Sequence, residues 1–317
     1  MTFFDAIVQG IIQGLTEFLP VSSSGHLLIS QHILGVQENN LFFDIMLHIG
    51  TLFAVLAVYY KTIWKLIISF FQIIGMIFRR EFSFKKLNAS QNMVVAVFVG
   101  FLPLFLLFAP VPGSGMNIKD IAEELAASNS LLLVGLALVT TAILLTLGVR
   151  KEKSYKNSYV KRIGSDDDLK RFDGKKHLSL FDALYVGITQ FIAAIFPGIS
   201  RSGSTLSTGL MRGVNKQTAL DYSFILGVPS ILAAAILELK DAFKCGAVQA
   251  VGLGPILVGM LVSAVVGFLS IRLFKWLLKT DKMMIFVAYT SILGGACLII
   301  GVIESFLGHN IFTGMAI

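Results

Sequence analysis

Charge is scarce in this chain. Only 14% of its 317 residues are Asp, Glu, Lys or Arg, while 55% are hydrophobic, a balance outside the range of soluble globular domains. Cysteine is nearly absent. The two present, Cys245 and Cys297, lie far apart without metal-ligand spacing, which excludes a disulfide framework and a zinc site. The first twenty residues lack a basic stretch and carry Asp5, Gln9, Gln13 and Glu17, so no cleavable signal peptide is predicted. Acidic residues are outnumbered by basic ones, 19 to 26, yet this excess does not point to nucleic acid. The basic residues concentrate between Arg150 and Lys176, as in a cytoplasmic loop lying beside anionic lipid.

What the chain does have is long apolar runs. Segments near 41–60, 92–112, 129–149, 219–239, 253–276 and 283–306 each approach the roughly 20 residues needed to cross a hydrocarbon core, predicting six transmembrane helices in an all-α membrane protein. Two further apolar segments, 3–36 and 181–213, are each broken at mid-length by Pro, Gly and Ser. A backbone break at membrane depth is tolerated only where protein or a water-filled cavity satisfies it, so both are predicted to be re-entrant helical hairpins. Segment 62–78, flanked by Lys61, Lys65, Arg79 and Arg80, is expected to lie in the plane of the cytoplasmic surface.

The broken segments resemble one another. Setting DAIVQGIIQGLTEFLPVSSSG (5–25) against DALYVGITQFIAAIFPGISRSG (182–203) pairs Asp5 with Asp182, Gly10 with Gly187, Gln13 with Gln190, Pro20 with Pro197 and Ser23 with Ser200. In this register Arg201 is an inserted residue. With the Arg150–Lys176 loop placed in the cytoplasm, loop 113–128 falls outside, the first hairpin enters from outside and the second from inside. The chain is expected to be one membrane domain, 1–317, of two inverted repeats, 1–149 and 179–317, joined by the basic loop 150–178. Such repeats meet near the midplane and build a polar site there.

The two tips carry the chemistry. Ser22, Ser23, Ser24, Gly25 and His26 come from one; Ser200, Arg201, Ser202, Gly203 and Ser204 come from the other. Hydroxyls, helix-start amides and a guanidinium together favour a phosphate. Ser22 and Ser24 read equally well as packing residues. Ser23 lies three residues before His26, a spacing at which a helical turn brings the imidazole beside its hydroxyl as general base, the competing reading of His26 being a neutral, hydrogen-bonded filler. Arg201 and Glu17 are costly at membrane depth and mark function, the competing reading being an ion pair that ties the repeats together. Glu17, on one helical face with Gln13, is expected to hold a divalent cation, magnesium or calcium, against the phosphate. His48 is read as structural, Asp44 and Asp221 as either supporting the site from behind or interfacial, the latter favoured, Asp166–Asp168 as a solvated loop, and the glycine-rich helix 253–276 as a packing face, including for a homodimer.

The strings QGLTEFLPVSSSGH (13–26) and PGISRSGST (197–205) closely resemble the two signature motifs of bacterial undecaprenyl-diphosphate phosphatases, the bacitracin-resistance protein family. The resemblance implies an inner-membrane enzyme whose site opens outward. It would remove the terminal phosphate of a C55 prenyl diphosphate and so recycle the carrier lipid of cell-wall synthesis. It places the family's acidic motif on Gln13 and Glu17, its serine and histidine motif on Ser22, Ser23, Ser24 and His26, and its arginine motif on Ser200, Arg201 and Ser202. Where the family often has glutamate this chain has Gln13, leaving Glu17 as the motif's sole carboxylate. The nucleophile is left open among Ser23, His26 and a water. The alternative function is a carrier that flips prenyl phosphate or another anionic solute, since inverted repeats with broken helices are common among transporters.

Overall fold

The computed structural model of the chain describes residues 2–35, 41–128, 130–163, 174–245 and 252–315. The described residues form helices and turns, with no β-strand among them. Helices α1 (Phe3–Thr16) and α2 (Ser23–Leu34) make the first hairpin, and α3 (Leu41–Phe78) and α4 (Ala89–Phe101) follow. A 3₁₀ extension, Leu102–Phe108, continues α4; then come α5 (Ile118–Ala127) and α6 (Leu131–Ile163). The second hairpin is α7 (Leu180–Ile195) and α8 (Arg201–Met211), followed by α9 (Lys216–Cys245), α10 (Leu253–Lys279) and α11 (Met284–Leu307).

Six of these helices are long and apolar enough to cross a membrane: α3, α4 with its extension, α6, α9, α10 and α11. Their outward faces present side chains such as Ile292 and Phe306, the latter 86% exposed, an arrangement that suits lipid rather than water as the surrounding medium. The segment 62–78 follows a kink in α3 at Tyr59, where the backbone leaves helical geometry (φ −107°, ψ 16°) and two helices meet. Two expectations change. The first part of the basic loop is helical, because α6 runs on to Ile163; Asp166–Asp168 lie outside the described residues. Loop 113–128 contains α5, started by a capping box between Asn117 and Asp120, a local signal that hydropathy does not carry.

The internal repeat reappears in how the helices are started and packed. Thr2 and Asp5 form a capping box at α1, and Ser179 and Asp182 form the same box at α7. Gly10 lets α1 press against the Gly259 carbonyl of α10, and its repeat partner Gly187 lets α7 press against the Gly100 carbonyl of α4; a Cβ at either would collide with that backbone. Each hairpin's first helix thus packs on a span contributed by the other half. The glycine face of α10 is occupied within the chain, since Gly259 lies against Phe43 and Leu47, and Gly267 against Phe18 and Ala54. Homodimerisation through that face would require these contacts to open.

Candidate active site

The second helix of each hairpin starts with the same cap. Ser22 Oγ accepts from Gly25 N at 3.1 Å, and Ser200 Oγ accepts from Gly203 N at 3.0 Å. The cap hydroxyls also meet equivalent serines, Ser22 with Ser24 at 3.4 Å and Ser200 with Ser202 at 3.3 Å. This register corrects the sequence pairing. Ser22 matches Ser200, Ser23 matches Arg201, and the extra residue of the second copy lies in the turn between Pro197 and Ser200. Arg201 is therefore not an insertion but the counterpart of Ser23, each the first residue of its helix.

The tips touch. Gly198 N donates to Ser24 Oγ at 3.2 Å, and Ser202 Oγ donates to the Leu19 carbonyl at 3.1 Å. Between them lies a cavity of about 340 Å³ lined by Glu17, Ser22, Ser23, Ser24, Ser200, Arg201 and Ser202. Buried Glu17 forms part of its wall. One carboxylate oxygen accepts from Arg201 Nη2 at 2.5 Å; the other accepts from Ser23 Oγ at 2.6 Å and Gln13 Nε2 at 3.1 Å. Arg201 has room because its neighbour on α9 is Gly227, where any Cβ would overlap the guanidinium.

His26 does not join Ser23. A carbonyl only accepts, so its Nδ1 donates to Ser22 O at 2.7 Å, while Nε2 lies 2.6 Å from the Tyr289 hydroxyl of α11. The ring, stacked on Tyr289 at 5.6 Å, is not among the cavity's lining residues. It braces the tip: Ser22 holds a left-handed φ of 73°, a conformation costing roughly 1–3 kcal/mol for a residue with a side chain. The expected role of Gly25 and Gly203 also changes, because both amides are taken by the caps. Ser204 is fully buried away from the cavity, its hydroxyl without a partner among the described residues. The first-turn amides with no intrahelical carbonyl to bond are those of Ser23, Ser24, Arg201 and Ser202.

His48, read as structural, and Asp44, read preferentially as interfacial, both line the cavity. His48 Nε2 lies 3.5 Å from a Glu17 oxygen, and Asp44, one turn earlier on α3, is on the same wall. Asp221 is interfacial as read, accepting from Tyr59 of α3 at 2.5 Å. Besides His48, sequence reasoning missed Gly227; a Gly-Val-Pro-Ser run inside a span was the available signal.

The fold and this cavity define a multi-pass membrane protein with an anion-suited site of hydroxyls and a carboxylate–guanidinium pair at the meeting point of two helical hairpins. The chain belongs to the bacitracin resistance protein BacA family, whose pattern it matches over residues 6–296. It is 35% identical over 300 residues to an undecaprenyl-diphosphatase of Alkaliphilus metalliredigens, covering 93% of this chain and 97% of that protein. An undecaprenyl-diphosphatase of Carboxydothermus hydrogenoformans is 34% identical over 306 residues, covering 95% and 98%. One from Methanosphaera stadtmanae is 34% identical over 309 residues, covering 96% and 99%.

Proposed function

We propose that this chain hydrolyses undecaprenyl diphosphate to undecaprenyl phosphate and inorganic phosphate, acting in the cell membrane of a bacterium and thereby supporting cell-wall synthesis and bacitracin resistance. The observation that carries the reading is Glu17 holding the Ser23 hydroxyl with one oxygen and the Arg201 guanidinium with the other. Ser23 is the nucleophile. Its oxygen attacks the terminal phosphorus while Glu17 accepts its proton. The anhydride P–O bond breaks toward the prenyl phosphate, a stable anion that needs no proton to leave. Arg201 and the first-turn amides of the two tips hold the charge that develops on the phosphoryl oxygens. Water then attacks the phosphorus of the phosphoserine, the Ser23 Oγ–P bond breaks as Glu17 returns its proton to Oγ, and the water's protons leave on the inorganic phosphate.

The metal reading narrows. Both Glu17 oxygens already accept from protein donors, and no three His, Cys, Asp or Glu side chains cluster as a metal site among the described residues. Gln13 Oε1, however, is buried without a partner. Glu17 and Gln13 are the residues that would hold magnesium or calcium through hard oxygens. Such an ion would add positive charge against the phosphate oxygens.

The hairpins enter from opposite faces in this reading, and the cavity opens outward. The support is α5, which belongs to the acidic loop assigned outside and contributes Ala126 to the cavity wall. The test is phosphate release by the purified protein in detergent with a prenyl diphosphate and magnesium. A carrier releases none without chemistry, so absence of phosphate would overturn the hydrolase.

A further inference from the structure

A second cavity of about 640 Å³ adjoins the first, lined mostly by apolar side chains of the 3₁₀ extension, α5, α7 and α9, with Lys119 and Glu123 of α5 and Gln190, Arg201 and Ser230 among them. The two meet at a neck, where Arg201, Ser230 and Ala194 line both. Gln190 of α7 lies on the groove side of this neck and is 1% exposed. Its Oε1 lies 3.3 Å from Ser230 Oγ, whose one proton is shared with the nearer Leu226 carbonyl at 2.9 Å, while its Nε2 has no hydrogen-bond partner among the described residues. A buried donor left without an acceptor is unfavourable and rare in a native interior.

The repeat explains what is missing. Gln190 is the counterpart of Gln13, whose Nε2 donates to Glu17, four residues on. Four residues beyond Gln190 stands Ala194. The second repeat keeps the amide but has a methyl where the first has a carboxylate, and the space opened by that small residue belongs to both cavities. An anion arriving in the neck would restore the acceptor that the first repeat supplies from its own chain.

We propose that Gln190, seconded by Ser230, forms the subsite for the inner phosphate of a lipid diphosphate, the phosphate that stays on the prenyl chain. This rests on the hydrolase reading, in which the terminal phosphate lies at Ser23 and Arg201. The inner phosphate then falls between that point and the apolar groove, which is where the neck is. Arg201, lining both cavities, bridges the two phosphates. The same subsite holds the lipid monophosphate product.

The deciding measurement is direct binding of a prenyl monophosphate to the purified full-length protein in detergent, with wild type compared against Gln190→Leu, Gln190→Glu and Ser230→Ala. Gln190→Leu should weaken binding about tenfold, the loss of one hydrogen bond to a charged group. Gln190→Glu should weaken it further, by placing like charge against the phosphate. For the diphosphate, Gln190→Leu should raise KM by a similar factor and leave kcat within about threefold. Unchanged monophosphate affinity in Gln190→Leu overturns the subsite; should that variant fail to fold, unchanged affinity in Gln190→Glu does so. A wild type that binds monophosphate through Gln190 yet releases no phosphate from the diphosphate overturns the hydrolase and leaves the subsite standing.

Discussion

Ser23 and Arg201 are the same residue of two related helices, and both close on one carboxylate. Each is the first residue after a serine cap, and each meets Glu17, Ser23 at 2.6 Å and Arg201 at 2.5 Å. Divergence of one position in a duplicated hairpin has thus placed a hydroxyl on one side of the cavity and a guanidinium on the other. The repeat partner of Glu17 is Ala194, so the carboxylate belongs to one copy only.

Because Glu17 serves both partners, its neutralisation should remove more than either contact. Glu17→Gln should lower phosphate release by about 10²–10³-fold or more, and Arg201→Lys by about 10²-fold, since lysine keeps the charge but loses the planar fork. Phosphate release assays on variants shown to be folded check both. An Arg201→Lys protein of near-normal rate with a lowered melting temperature would reduce this residue to a tie between the repeats.

Gly227 separates packing from catalysis. A methyl at this position meets the Arg201 guanidinium, the far end of a flexible chain, rather than backbone. Gly227→Ala should therefore leave the melting temperature within a few degrees while lowering the rate by about tenfold or more, through displacement of an oriented donor. A collapse of stability with rate per folded molecule unchanged would contradict this.

His26 yields a different expectation from the one its spacing suggests. With its ring held by Ser22 O and Tyr289, it acts on the tip's shape. Tyr289→Phe and His26→Ala should both lower activity, the second more, and Ser22→Gly should partly rescue His26→Ala because glycine adopts a positive φ without strain. A general base at His26 would be indifferent to Ser22→Gly.

The spans, the two broken hairpins and the meeting of their tips were legible because hydropathy and Pro, Gly and Ser breaks are local signals. The gap in the repeat was not. PVSSSG against PGISRSG can be aligned with the extra residue on either side of the serine, and only the cap bonds to Gly25 and Gly203 decide it. His26 stayed open between a general base and a hydrogen-bonded filler because a three-residue spacing fixes the face of a helix but not which carbonyl the ring finds. His48, Gly227 and Gln190 share one reason for being missed. Their partners Glu17, Arg201 and Ser230 are 31, 26 and 40 residues away, beyond any helical periodicity.

At the base of the second hairpin, outside the six spans, Asp182 is clamped by Arg212 at 2.8 Å and Lys175 at 3.1 Å, and caps α7 by accepting from Ser179 N at 3.1 Å. Burial works to raise its pKa, but the hydrogen bonds from Arg212, Ser179 and Lys175 outweigh it and hold the carboxyl at about 2, below the ordinary 3.8. A carboxyl depressed by folding stabilises the folded state above its unfolded pKa, and the stabilisation is lost as pH falls toward the folded value. The window is therefore about pH 4 down to about pH 2. The melting temperature in detergent should be insensitive to this group from pH 7 to 5 and fall in wild type below about pH 4. Asp182→Asn should lower the melting temperature at neutral pH and flatten that acid limb, with Lys175 and Arg212 left without their anion. The melting temperature of the two proteins, followed from pH 7 to pH 3, is the check. Parallel acid limbs in wild type and Asp182→Asn would mean that other carboxylates, not this clamp, set the acid stability of the second hairpin.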